Sequence, residues 1–175
     1  AITIDGAEKD DVTGLVYDEN TEEGNIIIFT STAKECDKGV ILTSSNIMSA
    51  LDKLSKTCLC NENDKVLSQV ALSQIFGLLY SFIWPISVGA CVCVGRGLRH
   101  IDSDTYYYNP TMLPANPSMI EYLKKIKAFN EELKCIIIGG APCPLKVCEE
   151  IRENGIQIYT IYGEAQSTGC IAISN

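Results

Sequence analysis

Apolar, β-branched runs alternate along this chain with stretches of helical periodicity, and this alternation limits its fold more than any other feature. Asn25–Thr30, Lys65–Ala71, Leu133–Ile138 and Ile156–Tyr162 read as buried strands, with shorter runs at Val40–Leu42 and Val88–Val94. Between them lie helices. Ser45 or Asn46 can cap one whose apolar face is Ile47, Ala50, Leu51, Leu54 and Cys58. Gln74–Trp84 suits a buried helix broken by Pro85. Asn116-Pro117 opens a third helix, with Met119, Ile120, Leu123 and Ile126 on one stripe, and Pro144 opens a fourth that stops at Asn154-Gly155. Gly95–Asn109 reads as irregular and holds the lone histidine, His100, with no nucleophile beside it. The pattern predicts an α/β fold, a largely parallel sheet with flanking helices, and ligands gathered at the carboxyl ends of the strands.

A chain of 175 residues with 46% hydrophobic content can bury one sizeable core. We therefore expect one α/β domain over residues 25–175, preceded by an acidic arm or edge segment over residues 1–24. That arm carries Asp5, Glu8, Asp10, Asp11, Asp18, Glu19, Glu22 and Glu23 against the single base Lys9. The formal net charge of -8 argues against nucleic acid or an anionic membrane as the partner. The nine cysteines are scattered through apolar runs, as small buried hydrophobes are, which fits a reducing, cytoplasmic setting. Cys58/Cys60 and Cys91/Cys93 lack the ligand pairing of a zinc site, the latter pair falling on one face of a strand read as buried. Ile75–Val94 is uncharged, but Pro85 and Gly89 divide it, so it reads as helix plus strand rather than a membrane span.

Several turns in order carry a resemblance. After the first strand comes Thr30-Ser31-Thr32-Ala33-Lys34-Glu35-Cys36-Asp37-Lys38-Gly39-Val40, then Leu42-Thr43-Ser44-Ser45-Asn46. Leu72-Ser73-Gln74-Ile75-Phe76-Gly77 and Pro110-Thr111-Met112-Leu113-Pro114 follow, then Gly139-Gly140-Ala141-Pro142, and finally Tyr162-Gly163-Glu164-Ala165-Gln166 directly after a strand. In order and spacing these resemble the phosphate loop and later motifs of the adenylate-forming (AMP-binding, acyl-CoA synthetase-like) enzymes, in the central part of their large N-terminal domain. The resemblance implies nucleotide contacts, here vestigial, at Thr30, Ser31, Lys38, Gly139, Gly140, Ala141, Pro142, Tyr162 and Gly163, with Gln166 at the family's metal position.

The departures alter the implied chemistry. A phosphate loop needs glycines so that backbone N–H groups can approach the anion. Here Thr32 and Glu35 replace them, and Asp37 replaces the family's proline. Two like charges about 4 Å apart at an effective dielectric of about 20 repel by about 4 kcal/mol, which offsets most of what one loop lysine contributes. Gln166 offers a neutral carbonyl where the family uses a carboxylate on magnesium, and Ala165 lacks the family's hydroxyl. The family's ribose-binding aspartate and adenylation lysine would fall beyond Asn175. These features favour a non-catalytic binding or interaction module with no catalytic residue and no required cofactor. The alternative is a fragment or subunit of an acyl-adenylating acid–thiol ligase, for which ATP or AMP and Mg2+ would be the ligands. Unpaired sheet surface in so short a piece predicts self-association or a protein partner.

Overall fold

The computed structural model describes residues 24–30 and 38–174, with only the backbone of Lys38. The acidic arm and the turn from Ser31 to Asp37 lie outside the described residues. The described residues form two sheets. β1 (Asn25–Thr30) and β2 (Lys38–Thr43) form an antiparallel ribbon in which Ile27 pairs with Ile41 and Phe29 with Gly39. Its inner face sends Ile28 and Leu42 into the core, while Ile27, Phe29 and Ile41 on the other face are exposed.

β2 runs directly into α1 (Ser44–Ser55). The cap is Thr43, two or three residues earlier than the expected Ser45 or Asn46. Its hydroxyl accepts from the Asn46 N–H at 3.2 Å, and Asn46 Oδ1 accepts from the Thr43 N–H at 3.1 Å. Asn46 thus completes a reciprocal capping box from the third helical position instead of acting as the cap itself. Ile47, Ala50, Leu51 and Leu54 are buried as the periodicity requires. Cys58 leaves that face because the helix ends at Ser55, and the residue sits exposed at φ 53°.

The main sheet has the order β4-β3-β5-β6-β7-β8, comprising β3 (Lys65–Ser68), β4 (Cys91–Val94), β5 (Met112–Ala115), β6 (Cys135–Ile138), β7 (Gln157–Tyr162) and β8 (Ala172–Ser174). The first five are parallel and β8 returns antiparallel to β7. Every residue of β5 and β6 is buried, as expected of central strands covered on both faces. β4 is an edge strand and not the buried strand its composition suggests: Cys91 and Val94 are exposed and Cys93 is buried.

Pro85 does not end the helix before it. α2 (Ile75–Leu78) continues through a π-helical turn over Leu79–Ile83 into α3 (Trp84–Ser87). The Trp84 N–H reaches the Leu79 carbonyl, five residues back, and Pro85 falls in the first turn of the next stretch, where a missing N–H costs little. The path ends instead at Gly89, φ 82°. Phe76, Tyr80 and Trp84 stack along it at ring separations of 5.2 and 6.1 Å.

The stretch read as irregular contains α4 (Ile101–Tyr108), entered by a 3-10 turn over Leu98–His100. Its anchor is polar. Asp104, 1% exposed, accepts from the Arg96 N–H and Nε, each at 2.7 Å, and from Gln69 Nε2 at 2.8 Å. α5 (Pro117–Ile126) starts at its expected cap, Asn116, whose Oδ1 accepts from the Met119 N–H at 2.9 Å. α6 (Leu145–Arg152) follows Pro144 and ends before Gly155, φ 80°. Among the described residues no helix is long and apolar enough to cross a membrane.

Candidate functional site

The parallel register places two of the predicted turns side by side. Ile138, the last residue of β6, pairs with Thr160 of β7, so Gly139 and Gly140 turn away beside Ile161 and Tyr162. Gly139 is held down by its N–H, which donates to the Ala115 carbonyl at 3.2 Å, and it lies under the Phe76 ring, where a Cβ would stand 2.4 Å from Phe76 Cε2. Gly140 adopts φ +82°, a left-handed conformation that favours glycine. Ala141 and Pro142 carry the chain outward, and with Gly139 and Gly140 they form one wall of a cleft of about 550 Å3. Val70, Gln74, Phe76, Asn116 and Glu121 contribute to the rest of its lining.

The second turn is tighter still. A Cβ on Gly163 would stand 2.3 Å from the carbonyl oxygen of Gly169. The same oxygen accepts from the buried Tyr80 hydroxyl at 3.2 Å, and the Ile171 N–H donates to the Tyr162 carbonyl at 2.8 Å. Burial and the neighbouring Cys170 thiol push the Tyr80 phenol well above its usual range, so it stays a neutral donor. The Tyr162 ring is 69% exposed, an aromatic face open to a planar ligand.

Beyond Gly163 a 3-10 turn spans Ala165–Ser167, and β2 packs against it. Glu164, two residues before the metal position, opens this turn through its backbone: its carbonyl accepts from the Ser167 N–H at 3.1 Å and from Ser167 Oγ at 2.9 Å, and its own N–H lies 3.2 Å from Ser167 Oγ. Ala165 is 4% exposed, so the side chain at the position of the family's hydroxyl points into the protein. Gln166 is exposed and neutral. Hard anionic oxygens suit magnesium, and the one carboxylate of this turn, Glu164, stands two residues from the family's metal position. Among the described residues no three His, Cys, Asp or Glu side chains are grouped to hold a metal ion.

Of the phosphate-loop residues, Thr30 ends β1 opposite Lys38 at the start of β2. Ser31 and the Lys38 side chain lie outside the described residues. Three contributors escaped the sequence reading. Phe76 occupies the volume that Gly139 vacates. Glu121 reaches the cleft from α5. The Gln69–Arg96–Asp104 network holds the segment leading into Val70, and Gln69 Oε1 also accepts from the Gly97 N–H at 3.0 Å. Burial alone would raise the Asp104 carboxyl's pKa, but the Arg96 N–H and guanidinium and the Gln69 amide outweigh it and hold the group below the ordinary carboxylate range. An acidic side chain within an otherwise apolar-poor helix was the only available signal.

Glycine turns at the carboxyl ends of adjacent parallel strands place this chain among the α/β proteins whose sites form at the strand ends. The chain belongs to the AMP-binding enzyme family, whose sequence profile matches residues 6–175. It is 27% identical over 146 residues to the 2-succinylbenzoate–CoA ligase of Bacillus subtilis (strain 168), covering 81% of this chain and 29% of the relative. The structure of o-succinylbenzoate coenzyme A synthetase (MenE) from Bacillus subtilis in complex with AMP superposes with a TM-score of 0.73 at 25% identity, over 85% of this chain and 31% of that one. The inhibitor-bound N-terminal domain of FACL13 from Mycobacterium tuberculosis has the same fold, with a TM-score of 0.76 at 18% identity, over 85% and 39% of the two chains. The chain thus spans about a third of the length of the relatives it matches.

Proposed function

We propose that this chain carries the adenine-facing part of an AMP-binding site and holds an adenylate-type ligand without performing adenylation itself. The observation behind this reading is the pair of sterically obligatory glycine turns at the ends of β6 and β7, which keep backbone beside an open cleft and the Tyr162 ring. The AMP complex of its Bacillus subtilis relative supports the choice of ligand. Against catalysis stand the inward Ala165, the neutral Gln166 and the acidic residues Glu35 and Asp37 of the phosphate loop. In-line attack on a phosphate needs a placed cation on the developing charge.

Calorimetry with AMP and ATP, paired with pyrophosphate exchange in the presence of magnesium and a panel of carboxylic acids, tests this directly. Binding without exchange is the expected result. Thr32→Gly, Glu35→Gly and Asp37→Pro together should raise ATP affinity and still give no acyl-adenylate by mass spectrometry. Sustained exchange would instead favour the second reading, a segment of an acid–CoA ligase, for which the ligase relatives speak. In either case the exposed Ile27, Phe29 and Ile41 on the outer ribbon face are proposed to be covered by a second copy or a protein partner. A strictly monomeric species at high micromolar concentration in sedimentation, with no partner bound, would count against that.

A further inference from the structure

We propose that Cys143 and Cys148 form a reversible disulfide that pins one wall of the cleft, the turn from Gly140 to Pro144, to helix α6. The inference goes beyond the adenylate reading and does not depend on it.

The turn is lightly held. From Gly140 to Cys143 the backbone makes no hydrogen bond to other backbone among the described residues, and from Gly140 to Lys146 every residue except Cys143 is exposed. Cys143 is therefore the turn's one inward anchor, and Pro142 and Pro144 on either side of it both line the cleft. Pro144 is the cap residue of α6, which puts Cys143 just before the cap and Cys148 at the fourth helical position. Side chains at these two positions meet across the first turn as the staple that fixes how a chain enters a helix. Apolar residues usually fill them, and here both are thiols. Cys148 is 5% exposed in the core, and Cys143 packs against that core. After burial, the hydrogen bond and charge of the Cys148 thiol are the main influences on the Cys143 thiol, so the two sulfurs face one another.

Cys91 and Cys93 make a poorer pair, because the extended backbone of β4 holds them near the long end of the Cα separation that a disulfide tolerates. For Cys143 and Cys148 the oxidant is glutathione disulfide. The half-buried Cys143 sulfur, as thiolate, attacks one sulfur of glutathione disulfide, breaking its S–S bond and releasing one glutathione. The Cys148 thiolate then attacks the Cys143 sulfur of the mixed disulfide, and a second glutathione leaves. The two thiol protons end on the released glutathiones, so the protein pair is oxidised by two electrons and one glutathione disulfide is reduced. Burial first, then Cys148, then the Glu121 charge push the Cys143 thiol up to about 11, so the opening step is slow at neutral pH. The same surroundings do nothing to stabilise a thiolate, so they do not oppose the closed form at equilibrium. The closed loop is short and adds little to global stability. The change is local: the sulfurs draw together to a bond of about 2.05 Å, and because Cys148 is fixed in α6 it is the turn that moves.

The test incubates the reduced chain with glutathione disulfide, alkylates it and digests it with trypsin, which cuts after Lys134, Lys146 and Arg152. The expected main product is peptide 135–146 linked to peptide 147–152, with fragmentation placing the bond at Cys143 and not at Cys135. The exposed Cys58 and Cys91 should each carry a single glutathione, which shows that the oxidant was active. Cys148→Ser should trap glutathione on Cys143, whereas Cys143→Ser should leave the buried Cys148 unmodified. Hydrogen exchange at Gly140, Ala141 and Cys143 should slow about fivefold on oxidation of the wild type and recover with dithiothreitol, and neither serine variant should show this slowing. Glutathione on Cys58 and Cys91 without the link between Cys143 and Cys148, or a link that leaves exchange over residues 140–143 unchanged, would overturn the inference.

Discussion

At the end of β6, the atom nearest to where a Gly139 Cβ would stand belongs to the Phe76 ring, at 2.4 Å; at the end of β7, the corresponding neighbour of Gly163 is the backbone carbonyl of Gly169, at 2.3 Å. The distances are alike but the neighbours differ in what they can do. A side chain can be replaced or rotated, whereas the Gly169 carbonyl is fixed by the Tyr80 hydroxyl and by the return into β8. The first turn is therefore adjustable and shapes the cleft beside it. The second is rigid and sets where the Tyr162 ring stands.

The largest effect expected from this contrast is for Gly163→Ala, which should cost about 4 kcal/mol in chemical denaturation because backbone must move. No neighbouring side-chain change should restore it. Gly139→Ala should cost about 2 kcal/mol and, unlike Gly163→Ala, be largely rescued by Phe76→Leu, a coupling that a double-mutant cycle measures directly. Rescue of Gly163→Ala by Phe76→Leu, or no rescue of Gly139→Ala, would break the comparison.

Asp104→Asn should cost about 2 kcal/mol, since it leaves the Arg96 guanidinium and the Gln69 amide facing a neutral partner in a buried network. The loss should also depend on pH. The folded carboxyl lies below its unfolded value, so its contribution is fully present above about pH 4 and disappears as pH falls through the folded pKa. Thermal unfolding of wild type and variant should therefore converge at strongly acidic pH. Gly140→Ala sharpens the steric argument from the other side. Nothing stands within 4 Å of its Cβ position, so only the +82° backbone angle resists, at about 1 kcal/mol. Smallest of all, Gln166→Glu should raise magnesium-dependent ATP affinity about threefold, read by calorimetry with and without the metal.

Gly139–Pro142, Tyr162-Gly163 and the Asn116-Pro117 helix start were legible in the sequence because each is a local device whose residue types state their own geometry. The parallel arrangement followed from strands separated by capped helices. What escaped depends on partners distant in sequence. α4 is held by Asp104 reaching Gln69 and Arg96, so no apolar stripe announced it. β8 is three residues that become a strand only by pairing with β7. The β1–β2 ribbon looks like any other buried strand pair until the register shows that it forms a sheet of its own. Phe76 and Glu121 could not be named as cleft residues, because helix phase and loop path bring them there.

The π-helical turn at Leu79–Ile83 links that phase to chain length. A π turn holds one residue more than an α-helical path of the same rise requires, and each residue advances a helix by about 100°. Deleting a single residue between Leu79 and Ile83 would let regular α-helical bonding close across the gap. Because the extra residue is taken up inside that one turn, the flanking segments would keep their phase, and Phe76 would stay over Gly139 with Trp84 still in the core. The π turn is thus the one place on this path where a residue can be lost without moving Phe76, whereas a deletion in the regular turns of α2 or α3 would swing it by about 100° and remodel the cleft.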